Sequence, residues 1–249
     1  MKMFYDNFGE NDVAGLFSGW HFLFILLFIC LVGLSLFLCR NMTRDRVHKL
    51  IFFTAIAMSA VEILKIAIRI AKGSGVDSWI PLYYCSLFIY AIWLAISKRT
   101  WISRTGYAFI TMGGILSACL FTLYPSTSLA LFPAWHPASL HSFFYHFVMA
   151  FVGILVLWKG VFVPQRRDSL CYGVFVAAAC FVGYFINERT GSNCMFLHNA
   201  FKLPVLDGLL SFSHPLYMTV VCLAQSVLMF WANFGIYTLI RNRTEKRKK

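Results

Sequence analysis

A thiol, two imidazoles and three charged groups are spaced in this chain so that they can meet. Glu62, Lys65 and Arg69 follow one another at intervals of three and four residues. On a helix such intervals put all three on one face. Cys85 follows in the segment PLYYCSLF, after Pro81 and beside two tyrosines and Ser86. His141 and His146 come later, five residues apart. The thiolate is the reactive form of cysteine, and a nearby imidazole or cation favours it. A cysteine activated by histidine is the usual arrangement for acyl transfer through a thioester. Cys85 and His146 are therefore the candidate catalytic pair. Glu62, Lys65, Arg69 and His141 are candidates for binding substrate, and Asn187, Asn193 and His214 join them.

The elements that carry these residues are apolar. The chain has 249 residues, is 59% hydrophobic and has only 13% charged residues. Soluble domains average about 25% charged residues. Seven apolar runs can be drawn, at about 17–39, 48–72, 79–97, 104–124, 139–163, 169–187 and 213–240. A run of about 20 apolar residues spans the ~30 Å hydrocarbon core. The expected fold is all-α: a single domain over 1–249, a multi-pass bundle of seven transmembrane helices. Residues 1–16 are mixed, and the run that follows is too long for the core of a cleavable signal peptide, so the first span is expected to stay.

Charge orients the bundle. Arg40, Arg44, Arg46 and Lys49 fall on the first connection. Lys98, Arg99 and Arg104 fall on the third, and Lys159, Arg166 and Arg167 on the fifth. Arg241, Arg243, Lys246, Arg247, Lys248 and Lys249 end the chain. The opposite side has only Lys2, Lys72, Arg189 and Lys202. Positive residues collect on the cytoplasmic side, so the N-terminus is expected outside and the C-terminus inside, in the cell membrane. The net charge of +12 is thereby explained without nucleic acid as a partner. The basic tail is expected to meet anionic lipid headgroups.

That orientation assigns depths. From an outer end near Lys72, the helical rise puts Glu62 about 15 Å deep, Lys65 about 10 Å and Arg69 about 5 Å. Cys85, on a third span running inward from Trp79, falls about 9 Å below the outer surface, and His146 about 10 Å. Asn187 ends span six and His214 opens span seven. Each residue has a plainer reading. Glu62 with Lys65 is also what a self-neutralising ion pair looks like. Arg69 can snorkel to the interface. A membrane cysteine can be a small hydrophobe, and a membrane histidine an interhelical hydrogen-bond donor. The case for a site rests on their common depth. Ionisable groups inside spans cost at least ~2.5–3.5 kcal/mol on insertion scales.

The eight cysteines show no CxxC and no Cys/His spacing suited to zinc. No nucleotide-binding loop, dinucleotide fingerprint or internal repeat is visible, so no metal or diffusible cofactor is expected. The segment 125–138 holds three prolines and Trp135, which suits the membrane interface. The segment 188–212 exceeds the usual connection of about 4–6 residues and is expected to be an interfacial or re-entrant cover on the outer face.

Several motifs then converge. They are Glu62, the P-L-x-x-C-S segment (Pro81, Leu82, Cys85, Ser86), Tyr124-Pro125-Ser126, His146, and G-S-N-x-M-F-L (Gly191, Ser192, Asn193, Met195, Phe196, Leu197). Leu203-Pro204 and His214-Pro215 follow. On these the chain resembles, over nearly its whole length, the YwaF-type integral membrane proteins. That bacterial group is distantly similar to a eukaryotic transmembrane acyltransferase that remodels ether phospholipids. Relatives usually have histidine where this chain has Tyr83, and tyrosine where it has Cys194. The resemblance implies a membrane acyltransferase or transacylase acting on phospholipid acyl chains, with Cys85 and His146 as its reacting groups. The residues alone also admit a transporter or small-ligand receptor, for which the same polar cluster is the binding site.

Overall fold

The computed structural model describes residues 12–71, 73, 80–200 and 204–246. Lys2, Lys72, Trp79, Lys202, Leu203 and the tail residues Arg247, Lys248 and Lys249, all used in the expectations above, lie outside the described residues. Among those described, every element is helical. Six helices are long and apolar enough to cross a membrane: α1 (Gly19–Leu38), α2 (Arg44–Ala71), α4 (Thr100–Leu123), α5 (Pro137–Trp158), α6 (Asp168–Thr190) and α8 (His214–Lys246). The expected third span differs. Its helix, α3, covers only Leu87–Ala95. Residues 80–86 approach it through turns, with Leu82 N–H on the Ile80 carbonyl and Leu87 N–H on that of Tyr83. Pro81 lacks the N–H that a helix needs and restricts the residue before it. Over the described residues 80–97 the chain is thus helical only in its second half.

The helix α4 is the most buried of the six. It packs against α3, α5, α6, α8 and α1. At Gly106 a Cβ would strike the backbone of Ala91 and Ala95 on α3, so glycine permits this close crossing. Without water to drive helices together, such small-residue contacts supply the packing. Midway along α4, residues Phe109–Gly114 widen into a π-turn. A π-turn displaces carbonyls from the regular ladder. Asn233 on α8 meets this need, donating from Nδ2 to the carbonyls of Thr111 (2.7 Å) and Met112 (3.1 Å). A second π-turn, Ala224–Leu228, interrupts α8.

One end of the bundle is basic. Arg44 Nε donates to the Lys159 carbonyl at 3.3 Å, and Lys159 Nζ donates to that of Arg40 at 2.5 Å. Arg104 makes a two-pronged pair with the buried Asp168, at 2.8 Å and 2.6 Å. Three of the four basic clusters therefore lie together. The opposite end carries the polar cluster.

Between α6 and α8 the chain runs through a 3₁₀ turn, Cys194–Phe196, and then α7, Pro204–Phe212. The latter is short and amphipathic, with Val205 and Phe212 highly exposed, so it suits the interfacial character expected of segment 188–212.

Candidate functional site

The cluster is held by three walls around a cavity of about 530 Å³. From α2 come Glu62, Lys65 and Arg69, on one face as their spacing requires. From the turns before α3 come Pro81, Tyr83, Cys85 and Ser86. From α5 come His141, Ser142, Tyr145 and His146, paired at intervals of four. The 125–138 segment adds Thr127, Leu131, Phe132 and Pro137, and Phe196 closes one side. Six of the nine candidate residues thus line one space.

Each is fixed by its own element. Glu62 is almost fully buried and forms an ion pair with Lys65 one turn on. Its other oxygen, Oε2, lies 4.0 Å from His141 Nε2. Burying a carboxylate alone is prohibitive, so the pair is what makes Glu62 tolerable here. His146 is likewise buried. Its Nδ1 lies 2.7 Å from the Ser142 carbonyl. A carbonyl only accepts, so Nδ1 holds the hydrogen of the neutral ring, and Nε2 keeps a lone pair. The ring is clamped face-on against Phe121.

Cys85 sits in the turn just before α3. It lines the cavity together with Lys65 and Ser86. Tyr145 reaches over the same turn, its hydroxyl donating at 3.4 Å and 3.5 Å to the carbonyls of Cys85 and Ser86. Among the described residues no direct hydrogen bond joins the Cys85 thiol to His146; they face one cavity from different walls. Catalytic hydrogen bonds are often longer before substrate arrives.

The other three candidates lie elsewhere. Asn187, in the last turn of α6, exchanges two bonds with Cys194, Nδ2 to its carbonyl at 3.0 Å and Oδ1 from its N–H at 2.7 Å. Asn193 caps the following turn, accepting from His198 and Asn199 N–H groups. His214 donates from Nε2 to the Leu197 carbonyl at 3.1 Å. All three spend their polar atoms on shaping the connection after α6, and none lines the cavity. His21 bridges Phe17 N–H and the Thr122 carbonyl.

That connection is tightly built. Gly191 takes a left-handed conformation (φ 68°) to end α6, a role glycine fills at no steric cost. Met195 (φ 53°) and Phe196 (φ 58°) do the same without that freedom, at roughly 1–2 kcal/mol each. Their carbonyls are held by Gln225 Nε2 at 2.8 Å and the Tyr217 hydroxyl at 2.6 Å.

Tyr145 and Phe121 were not expected at the site, and the 125–138 segment was expected only at the membrane interface. Only Tyr145 had a signal, four residues after His141 and so on its face.

The arrangement offers a half-buried thiol, an imidazole with a free lone pair, two cations and a carboxylate around one cavity with apolar flanks. No curated protein and no solved structure matches the chain. A family model, however, matches residues 16–237, nearly the whole bundle and all three walls of the cavity, and the chain belongs to the TMEM164 family.

Proposed function

We propose that the protein is a membrane acyltransferase or transacylase that moves acyl chains between phospholipids through a thioester on Cys85. The observation that carries this reading is the shared cavity: Cys85, His146, Glu62, Lys65, Arg69 and His141 line one space with apolar flanks. The His146 Nε2 lone pair takes the Cys85 proton, and the thiolate attacks the ester carbonyl carbon. The tetrahedral intermediate collapses with loss of the glycerol oxygen, which takes the proton back from the imidazolium. An acceptor hydroxyl then gives its proton to His146, attacks the thioester and restores the thiol. Lys65 and Arg69 hold the lipid phosphate, and Glu62 fixes Lys65 in place.

The same reading sets the protein in the cell membrane, crossing seven times, with its N-terminus outside and the cavity in the outer leaflet. What supports seven crossings is the course of residues 80–97. Ile80 shares the cavity with Ile68 and Arg69, Trp93 Nε1 donates to Ser59 Oγ at 2.9 Å, and Ser97 shares a groove with His48 and Lys49. The segment therefore runs antiparallel to α2 over about 20 residues of its length, or ~30 Å, although only half is helical. Membrane lipids are the partners, with anionic headgroups at the basic tail.

The test is labelling by fatty chloromethyl ketones in membranes. Cys85 is expected to react several-fold faster than Cys119, and His146→Ala to abolish that advantage. Deletion and Cys85→Ala strains are expected to share one shift in phospholipid acyl composition. Equal labelling and an unchanged lipid profile in Cys85→Ala would move the cluster to the transporter or receptor reading.

A further inference from the structure

The connection after α6 contains more order than joining two helices requires. Four successive carbonyls, those of Cys194, Met195, Phe196 and Leu197, are each held by a side chain: Asn187, Gln225, Tyr217 and His214. The Met195 N–H bonds the Leu82 carbonyl at 2.9 Å, which ties the connection to the segment carrying Tyr83 and Cys85. Within this bracket Met195 and Phe196 are held left-handed. Non-glycine residues persist in such conformations only where the surroundings over-determine them, and they cluster at ligand-binding sites. The outcome here is directional. Met195 goes fully into the core, while Phe196 turns to the cavity, its ring 5.3 Å from that of Tyr83.

We propose that Phe196, braced by this bracket and backed by Tyr83, is the specificity-determining wall that selects by bulk which molecules reach Cys85. A ring on a mobile loop would yield to a large ligand. A ring whose backbone is held at four consecutive carbonyls does not, so the cavity keeps its width. Asn187, Gln225, Tyr217 and His214 are then positioning residues that act through Phe196 and do not touch the ligand. The inference rests on the proposed acyl transfer for the nature of the selected molecule, an acyl ester. The selection itself rests on geometry alone.

The test compares two maleimides of different bulk, N-methylmaleimide and N-(1-pyrenyl)maleimide, as a rate ratio taken between variants so that their intrinsic reactivities cancel. It is run on the full-length protein in lipid nanodiscs, with labelling at Cys85 and Cys119 followed by peptide mass spectrometry. The ratio of pyrenyl to methyl rates at Cys85 is expected to rise about tenfold in Phe196→Ala, the scale on which pocket size discriminates. Phe196→Leu is expected to give a smaller rise, and Cys119 no change. Gln225→Ala, which loosens the bracket without entering the cavity, is expected to raise the ratio as well, where a merely structural role would lower the melting temperature alone. If Phe196→Ala does not fold, Phe196→Leu and Tyr83→Ala decide by the same ratio. An unchanged ratio at Cys85 in a folded wall variant overturns the proposal. Cys85 reacting no faster than Cys119 with fatty chloromethyl ketones removes the acyl-transfer reading but leaves the bulk ratio free to report on the wall.

Discussion

The imidazole of His146 lies flat against the ring of Phe121, with centroids 3.7 Å apart and planes 7° apart. Together with the Nδ1 contact to Ser142, this fixes both the plane of the imidazole and the nitrogen that keeps the lone pair. An imidazole serves as a base only if its lone pair stays aimed at the proton it takes. Phe121→Ala is therefore expected to slow labelling of Cys85 by acyl electrophiles, in the same direction as His146→Ala but less. Labelling at Cys119, two residues from position 121, controls for local disruption. A wild-type rate at Cys85 in Phe121→Ala would mean that the orientation of His146 does not matter to the thiol.

The Glu62–Lys65 pair carries a prediction about stability. Removing one partner of a buried pair strands the other charge, at about 3–5 kcal/mol. Glu62→Ala is expected to lower the melting temperature and the yield of folded protein. Glu62→Ala with Lys65→Ala should recover part of that loss, because neither charge is then left alone. His141 Nε2, 4.0 Å from Glu62 Oε2, can moderate only the loss of Lys65, which leaves Glu62 in place. Strict additivity of the two single losses would show that the residues do not interact.

At the basic end, Asp168 is held at three points: by Arg104 Nε, by Arg104 Nη2, and by the Gln165 N–H at 2.7 Å. It is nearly fully buried, and the Arg104 guanidinium also stands over the Phe162 ring. A lysine cannot reproduce a two-pronged grip. Asp168→Ala is expected to cost about 3–5 kcal/mol, and Arg104→Lys less, both read as thermal melts. Neither should change the relative labelling of Cys85 and Cys119, because the clamp and the cavity are at opposite ends.

Periodicity made the helical walls legible and left the connections opaque. Glu62, Lys65 and Arg69 could be placed on one face because three and four are the intervals of a helix, and the drawn run 17–39 differs little from Gly19–Leu38. The drawn run 79–97 was apolar enough to pass for a full helix. Apolarity alone does not separate a helix from a buried chain that turns at Pro81. Asn187, Asn193 and His214 mark a different limit. An amide or imidazole in a connection looks the same in sequence whether it faces a ligand or ties down backbone. Phe121 carried no signal, and Phe196 stood only as one letter of a motif, because one phenylalanine among twenty-six in a membrane protein does not advertise which way it points.

Topology is the remaining prediction, and it turns on residues 80–97. If the segment crosses, α2 and α4 run in the same direction and the basic connections fall on one side. If it only dips and returns, residue 100 stays on the side of residue 75. The hydrogen bond from Trp93 to Ser59 and the grouping of Ser97 with His48 and Lys49 place the end of the segment near the start of α2, so a crossing is expected. Reporter fusions after residues 44, 100 and 166 and at the C-terminus should report cytoplasm, and those after residues 75, 130 and 200 the outside. The pair at 75 and 100 is decisive, because it isolates this segment from the other crossings. Both on one side would reduce the crossings to six, reverse the positive-inside assignment for every later connection, and leave the cavity without the outer-leaflet depth on which access to phospholipid esters depends.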